Sequence, residues 1–92
     1  MKLTAESIAE AIEDAGFEPV TDYSGRFMYG KECPGFSSDS ISEVFLMFTT
    51  IAEENPELAH AMAKGAKTDS MGRGMIVYWP NATYEGRTQE AA

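Results

Sequence analysis

Residues 41–52, ISEVFLMFTTIA, limit most strongly what this chain can fold into: eight of the twelve are apolar and Glu43 is their only charge. Ile41, Val44, Phe45, Phe48, Ile51 and Ala52 recur at helical spacing, and Leu46 and Met47 widen that face beyond one stripe. A helix this apolar is either sandwiched inside a domain or shared with another subunit. Most of these residues are expected in the core, and the excess predicts a homodimer. Ser38-Asp39-Ser40 opens the helix: Ser40 and Glu43 fit a capping box, and Asp39 suits the positive end of the dipole.

The remaining elements follow from punctuation and period. Thr4 is a suitable N-cap for a first helix, with Leu3 able to reach Ile8 as a staple. Ala5, Ile8, Ala9, Ile12 and Ala15 form its apolar face, and Gly16-Phe17 suit a Schellman end. Residues 18–23 read as a strand with Pro19 at its start. Ser24-Gly25 then predicts a two-residue turn, and residues 26–31 the returning strand of a hairpin, broken at Gly30. Cys33-Pro34-Gly35-Phe36 reads as a turn or an edge segment. Asn55-Pro56-Glu57 starts a short helix stopped by Gly65. Residues 68–72 read as a loop, residues 74–79 as a strand, and the chain from residue 81 to 92 as a tail free to fray. The expected fold is a single α+β domain over residues 1–92, a small antiparallel sheet of about three strands with helices on one face, in two layers. The last strand is expected to insert beside the hairpin.

Ninety-two residues suffice for one modest core. No apolar run approaches bilayer-spanning length, and the start does not resemble a signal peptide, so a cytoplasmic location is expected. The net charge of −8 disfavours direct nucleic-acid binding unless the cations cluster. Residues 1–22 hold six acids and only Lys2, whereas five of the seven cations fall between Arg26 and Arg73. That asymmetry allows a local anion site, and equally an acidic face that docks on a basic partner. Cys33 is the sole cysteine and reads first as a small buried hydrophobe, with a nucleophile or an intermolecular bridge as the alternatives. His60 is the sole histidine; no zinc-ligand spacing surrounds it, and neither a metal nor a cofactor is expected. Asn81-Ala82-Thr83 matches a glycosylation sequon that a cytoplasmic protein would not use.

Chemistry concentrates in residues 23–33, YSGRFMYGKEC, and is echoed in residues 71–78, MGRGMIVY, where Gly72-Arg73-x-Met75 repeats Gly25-Arg26-x-Met28. Glycines let a ligand approach the main chain, arginine clamps phosphate bidentately, and tyrosine faces accept a stacked ring. Tyr23, Ser24, Arg26, Tyr29, Lys31, Arg73 and Trp79 therefore suit a nucleotide-sized anionic ligand. The competing assignment places Phe27, Met28, Tyr29 and Trp79 in the sheet core and Arg26 in a surface ion pair. The ligand assignment requires the two Gly-Arg turns to converge on one hollow.

The two blocks YSGRFMYGKEC and DSMGRGMIVYWP resemble those of a family of small tailed-phage proteins, which read close to YSGRGMYG-x-x-C and D-x-MG-x-x-x-IVYWP. The likeness covers about a quarter of the chain, with Phe27 in place of the family's glycine. The resemblance implies a phage origin and, by analogy with other small phage proteins, a counter-defence role. Some such proteins are oligomers that sequester cyclic or ADP-ribose-type immune nucleotides. The sequence thus supports three functions in order: capture of an anionic nucleotide-like molecule, inhibition of a host complex through an acidic protein–protein contact, and nucleotide hydrolysis using His60, Cys33 or a tyrosine.

Overall fold

A computed structural model describes residues 3–25 and 28–84. Helix α1 (Ala5–Asp14) is followed by strands β1 (Val20–Tyr23) and β2 (Cys33–Ser38), helices α2 (Ile41–Glu54) and α3 (Pro56–Gly65), then β3 (Lys67–Met71) and β4 (Gly74–Tyr78). The fold is α+β, as expected, but among the described residues the antiparallel sheet has four strands rather than about three, in the order β1-β2-β4-β3.

Local chemistry sets the helix ends. Thr4 and Ser7 exchange side-chain-to-backbone bonds in a capping box at the start of α1. At its other end the Phe17 N–H reaches the Ile12 carbonyl and the Gly16 N–H the Glu13 carbonyl, the paired bonds of a Schellman motif, with Gly16 at φ 92. Asn55 caps α3 by accepting the Leu58 N–H, with Pro56 at the first helical position. The capping box expected from Ser40 and Glu43 does not form. Instead the Ser38 hydroxyl accepts the Ser40 N–H and donates to the Ser40 carbonyl, so an ST-type turn leads into α2.

The hairpins differ from expectation. Cys33-Pro34-Gly35-Phe36, read as a turn or edge, belongs to a buried interior strand, and it is this strand that pairs with β1; of the return strand expected over residues 26–31, residues 26 and 27 lie outside the described ones. Pro34 fits because its carbonyl accepts the Trp79 N–H while the Trp79 carbonyl, which a proline cannot serve, takes the Ala82 N–H instead. On the other side, β1 carries one extra residue between Val20↔Gly35 and Tyr23↔Cys33, a bulge opposite Pro34. Residues 67–71, largely read as loop, form the edge strand β3, joined to β4 by the two-residue turn Gly72-Arg73. Gly72 lies at φ 59, where a type II′ turn wants glycine.

The helices cover one face of the sheet. Phe36 and Val77, opposite each other in register, pack with Ile8, Ile12, Val44, Met47, Ile51, Met62 and Trp79. Trp79 is sealed in this core at 1% exposure and donates its indole N–H to the Met62 carbonyl at 2.8 Å, fixing α3 to the end of β4. After Pro80 the chain is tied back by the Ala82 bond and by the Tyr84 N–H to the Glu32 carbonyl at 2.9 Å. The tail expected to fray from residue 81 is therefore anchored as far as Tyr84.

Gly74 tests the β2–β4 contact. A Cβ there would stand 2.7 Å from the Ser38 carbonyl oxygen, a backbone atom that cannot rotate away. Gly74→Ala is expected to destabilise the fold by about 1–3 kcal/mol in urea denaturation, the usual cost of overpacking.

Candidate functional site

The sheet face turned away from the helices is roofed by the β1–β2 connection, and Met28 holds that connection together. Its buried thioether accepts the Gly25 N–H at 3.1 Å and lies 3.9 Å from the Cys33 sulfur. Its backbone closes two turns, Met28 N–H to the Gly25 carbonyl and Lys31 N–H to the Met28 carbonyl. Gly35 leaves room on this face for the buried Ile76, because a Cβ there would meet the Ile76 Cδ1 at 3.1 Å.

Between this connection and β3 runs an open cavity of about 630 Å³, within the size range of small-molecule sites. Gly25 and Met28 form one wall, Lys67, Thr68 and Asp69 the other, and Tyr78 and Pro80 complete it. Tyr23 lies beside it, its ring 4.7 Å from that of Tyr78 and tilted by 47°. The Tyr23 hydroxyl donates to Asp69 Oδ2 at 3.1 Å, tying the two edge strands across the width of the sheet. Asp69 Oδ1 accepts the Ser70 N–H at 2.9 Å. Burial, then the hydrogen bond and charge of Asp69, push the Tyr23 phenol up to about 12. Lys67 is exposed at the edge of the cavity.

The structure divides the residues that the sequence grouped. Tyr23 and Ser24 enter the connection whose Gly25 and Met28 line the cavity, and Lys31 leaves it with its side chain exposed. Tyr29 is held at φ 56, outside the comfortable range for a non-glycine residue, and points to solvent at 88% exposure rather than into the cavity. Arg26 lies outside the described residues. Arg73 sits at the opposite end of β4, beside Ser37, Ser38 and Asp39. Four residue steps along the strand separate Gly74 from Tyr78, roughly 14 Å. Arg73 is therefore not at the cavity near Gly25, and Trp79 has no open face for a ligand. The cavity instead recruits Lys67, Asp69 and Tyr78, which sequence reading missed. The usable signal was Gly72-Arg73 between Met71 and Gly74, a two-residue hairpin turn that converts residues 67–71 into a strand.

Cys33 is fully buried, and that burial raises its thiol to about 11, so it stays protonated at neutral pH. His60 is exposed on α3, on the helical side of the sheet, so no Cys33–His60 pair exists. Among the described residues no group of His, Cys, Asp and Glu is arranged to hold a metal, and no helix is long and apolar enough to cross a membrane. Comparison with protein-family models, curated proteins and solved structures found no match to this chain.

Two measurements check this geometry. In a tyrosinate absorbance titration, Tyr23 is expected to ionise near pH 12, and Tyr23→Phe should remove that step. Because the folded-state value lies above the ordinary 10.0, the stability contributed by neutral Tyr23 is complete below about pH 10 and is lost as the pH rises through about 12. Cys33 is expected to resist a thiol reagent such as dithionitrobenzoate in native buffer and to react stoichiometrically in denaturant; rapid native labelling would contradict its burial.

Proposed function

We propose that this protein acts by capture, holding an anionic, ring-bearing small molecule of the nucleotide class in the cavity between the β1–β2 connection and β3. The observation that carries this is the pairing of a partly exposed tyrosine face, Tyr78, with the exposed ammonium of Lys67 on the walls of one 630 Å³ space. The ring would lie against Tyr78, and Lys67 would meet the anionic group. Thr68 would add a polar contact. The cavity is contained within one chain, so capture by a monomer and by the dimer expected from α2 are both compatible with it. Given the resemblance to tailed-phage proteins, the captured molecule would be an immune nucleotide of an infected host.

Thermal unfolding against AMP, cyclic AMP, ADP-ribose and inorganic phosphate tests the proposal. A ligand at 100 times its dissociation constant stabilises by about 2.7 kcal/mol, which for a chain this small raises the midpoint by several degrees. At least one nucleotide is expected to do so where phosphate does not, and Lys67→Ala and Tyr78→Ala should each abolish the shift. No shift from any nucleotide at millimolar concentration, or shifts unchanged in both variants, would overturn it.

A further inference from the structure

Helix α2 buries Val44, Met47 and Ile51 against the core and leaves its opposite side uncovered. On that side Ile41, Phe45 and Leu46 are 52%, 63% and 56% exposed. The hydroxyls of Thr49 and Thr50 fold back onto the Leu46 carbonyl at 3.1 and 2.7 Å, so their polar ends are spent within the helix. Between Ile41 and Thr49 these side chains make a largely apolar ridge about 12 Å long, with exposed Ser42 and Glu43 in its first turn. Acids border it: Asp39 lies exposed just before the helix, Glu43 in its first turn, and Glu53 and Glu54 at its C-terminal end, and α2 contains no Lys or Arg.

That charge pattern discriminates between occupants. Two copies aligned antiparallel along their α2 helices would set Asp39 and Glu43 of one against Glu53 and Glu54 of the other. Parallel alignment would set each acidic end against itself. Acids meet acids either way, between chains that each carry −8, and like-charge juxtaposition at an interface is costly. We propose that the α2 ridge docks a basic amphipathic helix of a partner protein, one whose apolar stripe packs on Ile41, Phe45 and Leu46 and whose flanking Lys or Arg residues meet the two acidic ends. Helices pack on one another by interleaving such stripes, and the opposite charges speed encounter and fix orientation. The ridge lies on the helical side of the sheet, so it stands whether or not the cavity on the other face holds a ligand.

The test uses the full chain and a labelled helical peptide of leucine and lysine with an apolar stripe, followed by fluorescence anisotropy at low and high salt. A second peptide with every lysine replaced by glutamine serves as comparison, and light scattering reports the size of the protein alone. The expected result is a monomer that binds the lysine peptide, more weakly at high salt, and the glutamine peptide at least about tenfold less tightly. The double variant Phe45→Ser/Leu46→Ser, altered only at exposed positions, should lose about tenfold or more in affinity, and Glu43→Lys/Glu53→Lys should do the same with its apolar ridge intact. A dimer that Phe45→Ser/Leu46→Ser converts to monomer would replace the partner helix with a second copy. Peptide binding unchanged in both double variants, or no binding at low salt, would overturn the proposal.

Discussion

Strand β2 has bonded neighbours on both sides and helices across one face, so every layer of the molecule is registered against six residues, CPGFSS. Few of them favour a strand by propensity. What holds them there is mutual accommodation: the bulge in β1 lies opposite Pro34, Ala82 serves the Trp79 carbonyl that Pro34 cannot, and Gly35 makes room for Ile76. Phe36 then turns toward the helices, meeting Phe17 edge-on at 5.4 Å. The two faces of the sheet thus have different jobs. One carries the main core, and the other carries the buried Ile76 and the Met28–Cys33 sulfur contact.

Helices α1 and α3 and strand β4 were legible because their signals are local: Thr4 and Asn55 as caps, Gly16 as a stop, and Ile76-Val77-Tyr78 as a β-branched and aromatic run. The hairpins were not. Ser24-Gly25 looked like a tight turn, but the chain between β1 and β2 folds into turns around the Met28 sulfur, a contact that turn statistics do not encode. Strand β3 was misread because an edge strand exposed along Lys67, Thr68, Asp69 and Ser70 has no apolar alternation to betray it. Proline and glycine in β2 argued against a central strand for sound reasons that tertiary partners overrode.

The same distinction governs the candidate site. Tyr23, Ser24 and Lys31 belong to the connection beside the cavity, because residues close in sequence tend to be close in space. Arg73 was grouped with them by resemblance of motif alone. A shared Gly-Arg pattern says nothing about strand direction, and β4 carries its turn to the far end of the sheet. Trp79 was grouped with them for its ring, yet a tryptophan whose N–H finds a buried carbonyl is satisfied as core. The acidic bias of the chain was also legible, but only the fold shows that acids border an exposed apolar ridge on α2.

One detail of β3 bears on how the molecule coexists with its own copies in a crowded solution. A bare sheet margin invites a stranger's backbone to zip alongside it. Here the Asp69 carboxylate occupies the Ser70 amide with one oxygen while the other is moored to Tyr23 on the far strand. An incoming chain would have to displace an anion anchored across the whole sheet before gaining that hydrogen bond. The margin is thus guarded by a side chain whose position is set from the opposite edge, three strands away.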